Sequence, residues 1–146
     1  MKQMLFIVGL SIAVLAANAQ EIPQAQVPAA VVNGFQQQFK NTTDAKWEKK
    51  KEHYEVKFEI NKINHKAKID AKGKIVKHET DIKHTELPAA ITKAIAAKYA
   101  GYKIKDPEKV EEGTKQYYKV ELKKDKDEKK VHFSADGTVI SDKVDQ

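Results

Sequence analysis

Five histidines mark where chemistry would first be sought: His53, His65, His78, His84 and His132. Imidazole is the commonest metal ligand and a ready general base near neutral pH. No two of them stand at the i, i+4 spacing of a helical zinc motif, and HExxH is absent. His53 and His65 fall on neighbouring predicted strands and could approach each other across a sheet. His78 and His84 flank a connection in mid-chain. Two imidazoles with a Glu or Asp could hold a metal ion, although solvent-facing histidines on a polar face are the plainer reading. The chain lacks cysteine, which removes disulfides, thiol nucleophiles and thiolate metal sites. Ser134 occupies a turn, Ser141 lies near the C-terminus and Ser11 lies in an apolar N-terminal run. No glycine-rich phosphate loop is present. Glu111 and Glu112 belong to a polar connection. Residues 125–128 have the acid content of a calcium loop without its ligand spacing. The expectation is a non-enzyme, with no catalytic residue, no metal site and no cofactor.

The elements that would position any such group come in two copies. Residues 54–76 and 118–140 align at a shift of 64 without a gap. Tyr54 falls on Tyr118, Val56 on Val120, Phe58 on Leu122, Ile69 on Phe133 and Gly73 on Gly137. Tyr54, Val56, Phe58 and Ile60 alternate with Glu55, Lys57 and Glu59, which is a half-buried strand. The next strand carries Ala67 and Ile69 inward and Lys66 and Lys68 outward. Residues 61–64 and 125–128 turn the chain between these strands. DAKG and SADG then turn it again, with Gly73 and Gly137 suited to a left-handed conformation. Ahead of each hairpin lies a helical stripe of period four: Val27, Val31, Phe35 and Phe39, then Leu87, Ile91, Ile95 and Tyr99. Pro28 and Pro88 suit the first helical turn. Gly34 weakens the first helix by up to about 1 kcal/mol relative to Ala. Ala45 and Trp47 mark a short strand with Trp47 inward. Its counterpart is interrupted by Pro107 and is expected to be short or at an edge.

The fold expected is therefore α+β: two tandem repeats, each one helix packed on a roughly four-stranded antiparallel sheet, after a signal peptide. Residues 1–19 have a charged start at Lys2, an apolar middle and the small-x-small ending Ala17-Asn18-Ala19. The apolar run is shorter than the roughly 20 residues needed to span a bilayer. Residues 20–26 read as a mobile leader, 27–82 as repeat 1 and 83–146 as repeat 2. A unit of this size buries only about 60% of its surface and is marginal alone, so the repeats should support each other. The compartment expected is periplasmic or secreted. The net charge is +6, every basic residue is Lys, and acids are interleaved with them. Without the bidentate fork of Arg, nucleic acid is an unpromising partner.

The pattern Leu/Val-Pro-x-Ala, a helix ending in an aromatic, Trp or Val, Tyr-x-Val-x-Phe/Leu and a closing glycine turn resembles the PepSY-like family, described as beta-lactamase-inhibitor-like. Pro28, Phe39, Trp47, Tyr54, Val56, Phe58, Ile69 and Gly73 carry the resemblance. So do Pro88, Tyr99, Val110, Tyr118, Val120, Leu122, Phe133 and Gly137. It covers nearly all of the chain after residue 19. The resemblance implies a helix on a four-stranded sheet, twice, in an exported protein that binds or restrains other proteins, peptidases among the candidates. It brings no catalytic residues, since the shared positions are structural.

Function then falls to the outward sheet faces. Glu55, Lys57, Glu59, Lys66 and Lys68 line the first; Lys119, Glu121, Lys123, Lys130 and His132 line the second, with His53 and Tyr117 at the strand starts. The expected site is a docking surface for an unidentified exported protein or peptide, built on Glu55, Lys57, Glu59, Lys68, Tyr117, Lys119, Glu121 and His132. Tyr117 and His132 are the anchors, because interface energy concentrates in aromatics. A plain solvated face with cross-strand Lys–Glu pairs would look the same in sequence. A carrier of a small ligand or metal ion, using the helix–sheet interface or the histidines, is the alternative.

Overall fold

A computed structural model describes residues 20–144; the proposed signal peptide lies outside the described residues. The strands are β1 (Gln20–Ile22), β2 (Thr43–Lys49), β3 (His53–Ile60), β4 (Ile63–Asp70), β5 (Ile75–Asp81), β6 (Lys103–Glu112), β7 (Lys115–Lys124), β8 (Asp127–Phe133) and β9 (Val139–Val144). The helices are α1 (Ala29–Gln38) and α2 (Ala89–Lys98). Each helix starts on its proline, Pro28 or Pro88, which sits at the N-cap. Val31 and Phe35 are the buried residues of α1, and Ile91 and Ile95 those of α2.

The strands form one antiparallel sheet in sequence order, β1 to β9. The two tandem helix-and-sheet units expected from the sequence are instead one continuous sheet carrying two helices. The join is made by β5 and β6, which pair from Lys77↔Glu112 to Asp81↔Glu108. Pairing here satisfies two rows of backbone N–H and C=O groups that would otherwise be exposed edges. Strand β6 is accordingly interior and ten residues long, not short or at an edge. Pro107 is accommodated because it sits in a register shift between Lys105 and Glu108, where a missing N–H breaks no ladder bond. Asp106, beside it, takes φ +40°, and Asp44 takes φ +52° at the register shift in β2. The leader is not loose either: Gln20–Ile22 pairs with β2, placing Ile22 opposite Trp47. The first hairpin turn is tighter than expected, only Asn61 and Lys62, both at positive φ.

The apolar residues gather in two clusters on the helix side of the sheet. The first joins Val27, Val31, Phe35 and Phe39 to Trp47, Val56, Phe58, Ala67 and Ile69. The second joins Leu87, Ile91, Ile95 and Tyr99 to Val120, Leu122, Val131 and Phe133. Gly34 has a packing role that offsets its low helix propensity. A β-carbon there would collide with the Gly73 carbonyl, and one at Gly73 would collide with the backbone of Ala30. Helix α1 thus rests directly on the β4–β5 turn.

Candidate functional site

The register places all eight proposed docking residues on the helix-free face. Glu55, Lys57 and Glu59 stand opposite Lys68, Lys66 and Asn64, while Lys119 and Glu121 stand opposite His132 and Lys130. Tyr117 stands opposite Val110 on the same face. The proposed anchors meet: the Tyr117 and His132 ring centres are 5.2 Å apart, with the planes inclined by 29°. The Tyr117 hydroxyl donates to Glu112 Oε2 at 3.0 Å. Burial and then this carboxylate push the Tyr117 pKa up. The His132 pKa is pushed down by burial, with Lys119, Lys77 and Lys143 adding to the effect. Toward the first edge the face is wetter. Lys57 donates to Glu48 at 3.2 Å, and Glu55 meets His53 at 3.1 Å.

The centre of this face is a residue that the sequence did not single out. Glu79, on β5, is only 5% exposed although no helix covers it. Its carboxylate meets Lys66 at 2.5 Å, Lys77 at 2.8 Å and Lys119 at 3.6 Å. Lys119 also reaches Glu108 at 2.5 Å. Burial alone would raise the Glu79 pKa; hydrogen bonds from Lys66 and Lys77 and the field of Lys119 outweigh it and hold the group at about 2. Beside it, Val110 is fully buried, and it belongs to neither helix-side cluster. The family pattern matches Val110 to Trp47, but its partner Tyr117 places it on the face opposite to that of Trp47. A hollow of about 150 Å³ opens here, lined by Glu55, Lys66, Lys68, Lys77, Glu79 and Glu112.

The histidines are arranged differently from the expectation. His53 stands opposite Asp70 on the helix-free face, whereas His65 stands opposite Phe58 on the helix side, so the two do not meet. His65 meets His78 instead. His65 Nδ1 lies 3.0 Å from His78 Nε2, and Thr80 Oγ1 lies 3.2 Å from each. Glu111 Oε2 lies 3.1 Å from the far nitrogen, His78 Nδ1. Phe39 and Phe58 pack against the two rings. Among the described residues no cluster of three or more His, Asp or Glu is placed to hold a metal ion. The helix–sheet interface of the first half is filled by Phe35, Phe39, Trp47 and Phe58, with ring centres 4.8 to 5.7 Å apart.

A family model described as "Putative beta-lactamase-inhibitor-like, PepSY-like" matches residues 14–77 and again residues 65–141. The chain belongs to the PepSY-like family. Solved structures share the fold of this PepSY-like chain at low identity. A DUF2874 family protein from Bacteroides uniformis superposes with a TM-score of 0.75 at 21% identity, over 80% of this chain and 88% of that one. A protein described as putative periplasmic, from Bacteroides eggerthii, gives 0.76 at 18%, over 81% and 88%. A BLIP-like protein from Bacteroides fragilis gives 0.71 at 20%, over 80% and 85%. Nothing among the curated proteins matches. Among the described residues, no helix of the PepSY-like chain is long and apolar enough to cross a membrane.

Proposed function

We propose that this PepSY-like chain is an exported, non-enzymatic binding module that docks or inhibits a protein or peptide partner through the helix-free face. The observation that carries this reading is the centre of that face. Glu79 and Val110 are buried there with no helix above them, and the Tyr117–His132 stack stands beside them. The Glu79 carboxylate is already out of water and ion-paired, so covering it adds little to its desolvation, and the Tyr117–His132 pair supplies the aromatic anchors on which interface energy concentrates. The family's description as beta-lactamase-inhibitor-like supports a protein as the partner. Export is supported by the signal-like residues 1–19 and by the periplasmic description of a structural neighbour.

The test is capture from a periplasmic extract, followed by affinity measurements on the purified captured protein. Tyr117→Ala and His132→Ala are each expected to weaken binding by tenfold or more, about 1.4 kcal/mol. Ile63→Ser, at an exposed site on the β3–β4 hairpin, should leave it unchanged. Equal affinity for all three variants would remove the helix-free face as the docking surface.

A further inference from the structure

The cluster of His65, His78, Thr80 and Glu111 lies on the opposite side of the sheet from the proposed docking face, and the docking reading does not use it. Its geometry is unusually restrictive. The ring centres of His65 and His78 are 5.3 Å apart and the planes differ by 9°. With Nδ1 and Nε2 only 3.0 Å apart, the two nitrogens must lie close to the line joining the ring centres. The rings are therefore end to end in nearly one plane, not face to face. A nitrogen pair aimed at each other at that distance fits one N–H···N bond. A metal ion held on the same line would need about 4 Å, from two bonds of about 2.0–2.1 Å each.

The hydrogen-bond partners then fix the proton positions. Ionised Glu111 can only accept, so His78 Nδ1 carries a hydrogen. In neutral His78, Nε2 is then an acceptor, so the hydrogen between the rings belongs to His65 Nδ1. That leaves His65 Nε2 as the one ring nitrogen open to a further proton. A first added proton is tolerated. It makes the inter-ring bond charge-assisted, and it can pass to His78, where Glu111 is the counter-ion. A second is not, because two N–H groups would then face each other across the gap.

We infer that His65 and His78 form a single-proton switch on the seam between the two halves of the sheet, and that its state is transmitted to the docking face. Glu111 belongs to β6 and His78 to β5, the two strands that join the halves. The same strands carry the centre of the opposite face: Glu79 follows His78, and Val110 and Glu112 flank Glu111. Adding the first proton tightens the β5–β6 contact through Glu111; adding the second drives the rings apart. The other charged groups that face the pair are few. Lys109, opposite Thr80, meets Glu111 at 3.1 Å, and Asp81 acts on His65 from the end of β5. Phe39 from the end of α1 and Phe58 from β3 bring no charge. Burial, and then the neighbouring His78, hold His65 below its ordinary pKa of 6.5. His65 is thus neutral at rest at pH 7. Because the folded chain takes this proton less readily than the unfolded chain, stability is full above about pH 6.5 and declines as the pH falls below it. The inference about the proton stands apart from docking; its transmission rests on the docking reading only for its purpose.

The experiment is an NMR titration of the ¹⁵N-labelled chain from pH 8 to 4, in a His53→Gln, His132→Gln background so that neither open-face imidazole intrudes. The ring nitrogens of His65 and His78 are expected to show a nitrogen–nitrogen coupling across the bond. They should share one macroscopic step. Glu111→Gln should move that step down by roughly half to one unit, a three- to tenfold loss of proton affinity. The amides of Lys77, Glu79 and Val110 should shift with the same midpoint. Two independent titrations without coupling would overturn the switch. A shared step with those three amides unmoved would overturn its transmission. Both readouts come from the unbound chain, so they hold whether or not Tyr117 and His132 prove to anchor a partner.

Discussion

The two halves of the sheet follow one plan and fill it with different side chains. In the first half α1 lies on an aromatic cluster, where Phe35 makes edge contacts with Trp47 at 5.2 Å and Phe58 at 4.9 Å. In the second half α2 lies on Leu122, Val131 and Phe133, and no tryptophan appears. The register explains why. Trp47 stands opposite Val56 in β2. Opposite the corresponding Val120 comes the register shift holding Asp106 and Pro107, with Pro107 buried. A shift of register has put a compact ring where the first half has an indole. The plan is thus carried by strand order, glycine turns and helix seats, while the filling is free to vary. Stability should be more concentrated in single residues in the first half.

The largest expected effect tests that concentration. Trp47→Ala removes the centre of the aromatic cluster and should cost about 3–5 kcal/mol. Val120→Ala, at the facing position of the second half, should cost no more than about 1–3 kcal/mol. Denaturant melts of the two variants decide it, and equal losses would show that the halves share their load evenly. Next comes Glu79, which belongs to the join and to neither half. Its carboxyl titrates at about 2 when folded, against an ordinary 4.5. A lowered folded pKa contributes stability that is complete above about pH 4.5 and is lost as the pH falls toward 2. The full shift corresponds to roughly 2–4 kcal/mol. Glu79→Gln should therefore destabilise at neutral pH and flatten the acid limb between pH 4.5 and 2. An unchanged acid limb would mean that Lys66, Lys77 and Lys119 do not hold the carboxylate as the geometry indicates.

Much of the plan could be read from residue order because burial writes itself as periodicity. The run from Tyr54 to Ile60 alternates, and the stripe Val27, Val31, Phe35, Phe39 repeats every four residues, so both helices and the β3–β4 and β7–β8 hairpins were legible. The join was not. It is made by KHETD in β5 and EKVEE in β6, which are polar on both faces and alternate weakly. The pairing is made by backbone bonds, which any residue supplies, and by the His78–Glu111 tie, which leaves no periodic trace. Glu79 was missed for the same reason, since its burial comes from lysines on three strands. Val110, matched to Trp47 by the family pattern, lies on the other face, because the register shift at Asp106 and Pro107 takes the place opposite Val120. His65 was different: Ala67 and Ile69 were read as inward, and residue 65 shares their parity. The signal was present, and charge-like chemistry at an inward position concealed it.

Glycine at the helix seats gives a finer comparison. In the first half Gly34 of α1 meets Gly73, backbone against backbone; in the second, Ala94 holds the place of Gly34 and packs on Gly137. Gly73→Ala and Gly137→Ala should each cost about 1–3 kcal/mol, from positive φ and from collision with the helix. Gly34→Ala should also destabilise, although Ala is the better helix former. The reverse change, Ala94→Gly, should cost only about 1 kcal/mol of helix propensity. If Gly34→Ala were stabilising, the close seat of α1 on the β4–β5 turn would be wrong, and the two halves would be alike in this respect.

The smallest effect concerns the residue after each helix. Phe39 ends α1 and Tyr99 ends α2, each nearly buried at the rim of its cluster. The Tyr99 hydroxyl donates to Asp142 on β9 at 2.8 Å, tying helix to edge strand in a way Phe39 cannot. Burial and this carboxylate push the phenol up to about 12. Tyr99→Phe makes the second half like the first at this point. It should cost about 1 kcal/mol, the net worth of one such bond. The loss should appear first as faster hydrogen exchange in β9, because an edge strand has a partner on one side only. Exchange that quickens uniformly across the sheet would show instead that β9 is no more weakly held than β5 or β6. The tie would then add to the stability of the whole sheet, not to that of one edge.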